Sequence, residues 1–152
     1  MTPINEVIIN KKTNLNPIWI MRQAGRYLPE FREIRSKNTD FIQLCLNPNL
    51  STEITLQPLN RFDFDAAIIF SDILMLPYGL NQNVEFKKDF GPVLGKLDLN
   101  KMSKMKEIDF VVRVKEIYEA IKNVNNDIIL KDKNTIGFIG APWTILVYMI
   151  NQ

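Results

Sequence analysis

Three short apolar runs punctuate the chain, and each is closed by a polar or glycine-bearing segment. Ile18–Met21 follows Asn16-Pro17 and stops before Arg22 and Gly25, Ala66–Phe70 stops at Ser71-Asp72, and Ile136–Ile139 stops at Gly140. Continuous apolar runs of this length between such breaks predict buried strands with both faces covered. Phe31–Leu46 and Pro48–Phe62 read as helices, the second with Asn47 as cap and Pro48 at its first position, where an N–H would have no helical partner anyway. From Glu107 to Val124 the residues Phe110, Val114, Ile117, Tyr118, Ile121 and Val124 recur at helical spacing and form one amphipathic face. A last helix is predicted through Trp143–Ile150, opened by Pro142. Val84–Phe86 reads as a short strand, and Phe90–Gly95, with two glycines and Pro92, as a loop.

Strand and helix therefore alternate three times, which predicts an α/β fold with parallel strands. No repeat, low-complexity tract or Gly/Ser linker divides residues 1–152, so one unit without an internal boundary is expected. In such folds functional residues gather at the C-terminal ends of strands. The segments at those ends are Arg22–Arg26, Ser71-Asp72 and Gly140–Trp143.

Composition narrows the chemistry. Over 152 residues, 46% hydrophobic and 24% charged positions are ordinary for a globular chain, and a net charge of +2 carries no nucleic-acid footprint. Histidine is absent and Cys45 is the single thiol. A Ser-His-Asp relay, an H-E-x-x-H zinc helix, a Cys/His zinc cluster and an internal disulfide all need residues this chain lacks, so metal and triad readings mostly fall. The apolar runs fall well short of the ~20 residues that span a bilayer. Met1–Lys12 has no charged run ahead of an apolar block, as a signal peptide would. A cytoplasmic protein with neither membrane nor nucleic-acid partners is the expectation.

Four of the six arginines, Arg22, Arg26, Arg32 and Arg35, fall within fourteen residues. Arginine's planar fork grips carboxylate or phosphate in two places and stays charged, whereas lysine is a point charge. Arg22 and Arg26 follow a predicted strand with Gln23, Ala24 and Gly25 between them, which suits an anion pocket; the alternative is that Arg22 closes an internal salt bridge. Arg32 and Arg35 read as a solvated helix face pairing with Glu30 and Glu33. Asp72 lies between a run of Ala and Ile and the apolar Ile73-Leu74-Met75, so its carboxylate must be compensated, either as a structural cap or as an acceptor facing a ligand. Tyr148 either points toward the same end or packs. Cys45 with Phe41 and Leu44 makes a core face, and Phe41 is also a candidate pocket wall. Lys87-Lys88 and Lys101, Lys104 and Lys106 read as solvated surface, and Gly91 with Gly95 forms no phosphate-binding motif.

The stretch Pro17-Ile-Trp-Ile-Met-Arg-Gln-Ala-Gly-Arg-Tyr-Leu-Pro-Glu-Phe-Arg32 resembles a motif near the N-terminus of the uroporphyrinogen decarboxylase family. Phe70-Ser-Asp-Ile-Leu74, and Gly137-Phe-Ile-Gly-Ala-Pro-Trp-Thr-Ile145 followed by Tyr148, are similar to the same family in the same order. The resemblance implies a (β/α)8 TIM barrel, here its N-terminal part only and hence incomplete, without metal or organic cofactor. It implies a tetrapyrrole with eight carboxylates, uroporphyrinogen, as substrate, and removal of CO2 from four acetate groups to give coproporphyrinogen. By the same likeness Arg22, Gln23, Ala24, Gly25 and Arg26 would hold carboxylates, Phe41 would contact the substrate, Asp72 would accept from the pyrrole N–H groups, and Tyr148 would contact carboxylates. Asp72 and Arg22 are the implied catalytic pair, with binding weighted first for Arg22 because a guanidinium is a poor acid.

A closed barrel of this kind takes about 250 residues, so a chain of 152 is expected to be inactive or nearly so by itself. The family implies a homodimer, and unpaired parallel strands invite a complementary C-terminal half. Two other readings stand beside the enzyme. One is a split-enzyme subunit or non-catalytic fragment. The other is a related barrel methyltransferase acting on corrinoids, against which the Arg22–Arg26 loop argues.

Overall fold

The computed structural model describes residues 1–87 and 90–151. In chain order the elements are α1 (Pro3–Ile8), α2 (Pro29–Lys37), α3 (Phe41–Cys45), α4 (Pro48–Arg61), β1 (Ala66–Ile68), α5 (Met75–Gly79), β2 (Val84–Lys87), β3 (Gly91–Leu94), α6 (Leu99–Lys104), α7 (Glu107–Arg113), α8 (Lys115–Asn126), β4 (Asn134–Ile136) and α9 (Pro142–Ile150). A 3-10 turn, Ile128–Leu130, leads from α8 toward β4. The architecture is mixed α/β. β1 pairs in parallel with β4, Ala67 opposite Thr135, and Ile69 N–H extends the ladder by donating to Ile136 O at 3.1 Å. β2 and β3 make an antiparallel hairpin.

Helix α4 fastens the parallel pair. It forms where predicted: Asn47 accepts from Leu50 N–H at 3.1 Å and Pro48 occupies the first turn. Its Leu56 and Leu59 pack with Ala67 and Ile69 of the strand region and with Val124 of α8, all buried. Polar groups of the same helix reach the strand's far end. Thr55 Oγ1 accepts from Phe70 N–H at 2.8 Å, and Ser51 Oγ donates to Phe70 O at 2.7 Å. Both main-chain groups of Phe70 are thus satisfied by a helix after the ladder has ended. A second cluster joins Leu28, Phe31, Leu44 and Ile54, and a third joins Ile42 and Cys45 to Leu74, Met75, Ile145 and Met149.

Several expected elements differ. Ile18–Met21 is no strand: these residues are irregular and exposed, Met21 to 75% at the start of a turn, and among the described residues their backbone pairing with the β1 region is Asp65 N–H to Ile18 O at 2.8 Å. Gln23 Nε2 donates to Ala66 O at 2.9 Å, and so occupies a carbonyl that a neighbouring strand would use. The third strand starts at Asn134 and stops at Ile136, leaving Phe138 and Ile139 exposed, because the chain turns away toward Gly140. Phe31–Leu46 is divided between α2 and α3: Asn38 Nδ2 donates to Ile34 O at 2.8 Å, and Asp40 caps the next helix from Gln43 N–H at 3.1 Å. The amphipathic stretch 107–124 is likewise two helices, parted at Val114. Residues 91–94, read as loop, form β3: Gly91 takes φ +85° and Pro92 lies opposite Phe86 in a two-stranded hairpin. Of the Lys87-Lys88 pair, Lys88 lies outside the described residues.

Candidate functional site

Asp72 lies four residues past the end of β1, where the Ser51 and Thr55 bonds have fixed Phe70. Its Oδ1 accepts from Leu74 N–H at 2.8 Å, and its main-chain oxygen accepts from Met75 N–H at 3.1 Å. The carboxylate is half-buried and forms no ion pair among the described residues. Burial pushes its pKa above the ordinary aspartate value, opposed in part by the Leu74 bond. The cap and the ligand-facing acceptor are therefore not exclusive, since one oxygen makes a local turn and the other has no protein donor.

Apolar groups wall this acid. Phe41 meets Phe70 edge-on at 5.8 Å and Phe86 at 4.7 Å, with the Arg35 guanidinium 5.6 Å from its centroid. Cys45 is fully buried; burial, and then the negative charge of Asp72, push its thiol pKa upward against the pull of Arg35, so it is an inert core thiol. The loop after β4 reaches the same end. A Cβ at Gly140 would stand 2.5 Å from Ile145 Cδ1 and 3.1 Å from Ile73 Cβ, so only glycine permits this approach between the loop and the residue after Asp72. α9 then docks through Ile145 and Met149, and Gln82 Nε2 donates to Met149 O at 2.9 Å. Tyr148 stays 37% exposed on that helix and makes no hydrogen bond to Asp72.

The arginine loop is fastened at two levels. Ile18 N–H donates to Asp65 Oδ2 at 2.6 Å and Gln23 Nε2 to Ala66 O, where β1 begins, and Ala24 and Leu28 pack in the cluster that also holds Phe70. Arg22 and Arg26 are exposed, and their guanidinium groups form neither ion pairs nor hydrogen bonds among the described residues. No internal salt bridge closes on Arg22. Gln23 is buried to 2% with both ends of its amide engaged, Nε2 on Ala66 and Oε1 on Ile20 N–H at 3.3 Å. Ala24 and Gly25 are half-buried. Ala24 of this loop packs against the same cluster, Leu28, Phe31, Leu44 and Ile54, as Phe41 and Phe70, while the guanidinium groups of Arg22 and Arg26 stay unpaired among the described residues.

The expected partners of Arg32 and Arg35 are already taken. Glu30 binds Arg61 through two bonds, 2.6 and 2.9 Å, and Glu33 binds Lys37 at 2.7 Å. Arg32 turns instead to the carbonyls of Arg26 and Tyr27, and Arg35 to that of Asn38. Two shallow grooves of about 560 and 550 Å³ lie apart from Asp72; one runs along α6 and α7 with Lys101, Lys104 and Arg113, the other along Asn38–Asn49. Among the described residues no His/Cys/Asp/Glu cluster is fit to hold a metal, and no helix is long and apolar enough to cross a membrane.

The uroporphyrinogen decarboxylase (URO-D) family profile matches residues 1–152. The chain belongs to the uroporphyrinogen decarboxylase family. It is 45% identical over 145 residues to the uroporphyrinogen decarboxylase of Agrobacterium fabrum, an overlap covering 94% of this chain and 42% of that relative. To the one of Brucella ovis it is 46% identical over 135 residues, covering 88% of this chain and 39% of that protein. The chain thus spans about two-fifths of the length of these curated relatives. A solved methyltransferase from Methanosarcina mazei superposes with a TM-score of 0.72 at 15% identity, over 97% of this chain and 44% of that one, which shows a shared fold and nothing of shared chemistry.

Proposed function

We propose that the chain is the N-terminal part of an incomplete (β/α)8 barrel and contributes the acid and the arginine loop of a uroporphyrinogen decarboxylase. The observation that carries this reading is Asp72: a half-buried carboxylate past a strand end, with one local donor and no cation among the described residues. A tetrapyrrole is anionic at its rim and donates hydrogen bonds from its centre. An uncompensated acid attracts such a molecule by its pyrrole N–H groups, while unpaired guanidinium groups take its carboxylates. Arg22 and Arg26 have free forks, and Tyr148 has an exposed hydroxyl end. Gln23, Ala24 and Gly25 serve the same loop, with Gln23 shaping it, because its side-chain amide and both of its main-chain groups are already engaged. Phe41 belongs to the apolar wall.

Protonation of a pyrrole carbon makes the ring an electron sink. The acetate C–C bond then breaks, CO2 leaves with its carbon oxidised by no external agent, and the electron pair returns to the ring. The exocyclic carbon then takes a proton to complete the methyl group and the ring carbon gives up the one it gained, which restores the pyrrole; the net proton consumed comes from solvent. A negative Asp72 in a drying cleft stabilises the cation that develops on the ring. No metal or organic cofactor is needed for these steps. The remaining barrel, supplied by further polypeptide or a complementary chain, would complete the mouth around Asp72 and the arginine loop. A cytoplasmic, homodimeric assembly is part of the same reading.

The test is reconstitution. The 152-residue chain is mixed with the part of the Agrobacterium relative that lies beyond the match, and coproporphyrinogen is assayed. Little or no product from the chain alone and clear product from the mixture are expected. A co-purifying mixture that folds yet makes no product contradicts the reading.

A further inference from the structure

Arg32 was expected to be part of a solvated helix face, but its geometry is that of a clamp. Its Nη1 donates to Arg26 O at 2.7 Å and to Tyr27 O at 3.1 Å, so one guanidinium grips two successive carbonyls of the arginine loop. It is available because Glu30 is committed to Arg61 and Glu33 to Lys37. Two further side chains act on the same loop from inside. Gln23 fastens it to Ala66 O and to Ile20 N–H, and Tyr27 OH donates back to Gln23 O. Leu28 N–H closes the turn on Gly25 O at 3.0 Å.

Every one of these bonds ends on the main chain or on the Gln23 amide. None involves the guanidinium of Arg22 or Arg26, and the carboxylate that does fasten this segment, Asp65, takes the Ile18 N–H four residues before Arg22 and pairs with neither guanidinium. A loop braced by acids would neutralise the charges it presents; one braced by carbonyls and an amide keeps them free. We infer that Arg32 is a positioning residue which, together with Gln23 and Tyr27, locks the Arg22–Arg26 loop in a form that leaves both guanidinium groups unpaired for an anionic ligand. The ligand in this statement rests on the reading proposed above; the lock itself rests on the hydrogen bonds alone.

The two parts are separated by two readouts on the full chain. Native-state trypsin cleavage after Arg22 and Arg26 is compared with cleavage after the exposed Lys96 and Lys131, for wild type, Arg32→Gln and Arg32→Lys. Arg32→Gln is expected to raise the loop-to-control ratio about tenfold, with Arg32→Lys in between, because an ammonium keeps the charge and the donors but on a shorter stem than the one that brings Nη1 to both carbonyls. A global loss of stability would raise all four sites together. The second readout is uroporphyrin binding by fluorescence, where Arg32→Gln is expected to weaken affinity about tenfold and Arg32→Lys to recover part of it. An unchanged cleavage ratio overturns the lock, and so does wild-type affinity in Arg32→Gln. A wild-type chain that binds no uroporphyrin contradicts the ligand reading, and the cleavage ratio then decides the lock by itself.

Discussion

The acid and the arginines are positioned by different means. Asp72 follows a segment fixed from within: β1 pairs with β4, α4 covers it, and Thr55 and Ser51 bind both main-chain groups of Phe70. The arginine loop takes its order from side chains that bond to backbone, the buried Gln23 from inside and Arg32 from outside, with Asp65 N–H to Ile18 O as its main-chain bond to the β1 region among the described residues. Core packing thus orders the segment that leads to the acid, while a set of individually weak bonds orders the loop whose two guanidinium groups stay exposed. The two regions should answer differently to mutation and to pH.

The largest effect belongs to the acid. In the reconstituted enzyme Asp72→Asn should lower decarboxylation on the order of 10²–10³-fold, the scale of removing one group that stabilises developing charge. Activity within a factor of three of wild type would erase the contrast between the two regions.

Next come substitutions that attack the acid's scaffold. Thr55→Val keeps the shape but strands the Phe70 N–H, and should cost about 1–3 kcal/mol in urea unfolding. Gly140→Ala drives a methyl group into Ile145 and toward Ile73, and should cost about 1–3 kcal/mol by overpacking. The arginine loop offers the opposite outcome: Arg22→Gln should leave urea unfolding unchanged within about 0.5 kcal/mol, since that exposed side chain touches no partner. A scaffold substitution without cost, or an Arg22 substitution with one, would reverse the assignment.

The smallest effect is one of pH. Burial raises the Asp72 pKa in the folded chain, so the folded state holds this proton more tightly than the unfolded one. The stability tied to this group is complete below the ordinary aspartate pKa and is lost as pH rises through the raised folded value. Asp72→Asn removes that dependence. It should unfold at a higher temperature than wild type at pH 7, with the gap closing as pH falls below the carboxylate range. A gap that widens on acidification would show that the carboxylate is compensated after all.

Much of the acid's neighbourhood was legible in the sequence, because it is local: an Ala-Ile run ending at Ser71-Asp72, Asn47-Pro48 opening α4, and Pro142 opening α9 each declare themselves within a few residues. The clamps on Phe70 and the close approach at Gly140 were not, since Thr55 and Ser51 look like ordinary helix residues until α4 is laid against β1. Ile18–Met21 misled because an apolar run signals burial but not the presence of strands on either side to pair with. Pro92 and two glycines hid a strand because a hairpin edge tolerates both. The arginine cluster was visible as a cluster, but the separate tasks of Arg22, Arg26 and Arg32 depend on which carboxylates Arg61 and Lys37 have already claimed.

The central claim is that arginines read the rim of a tetrapyrrole while Asp72 reads its hub. It is tested most directly by titrating the reconstituted protein with uroporphyrin, which has eight carboxylates, and coproporphyrin, which has four. Arg22→Gln should weaken uroporphyrin binding more than coproporphyrin binding and so compress the preference between them, whereas Asp72→Asn should weaken both by the same factor. Equal losses for Arg22→Gln, or a changed preference for Asp72→Asn, would contradict the account.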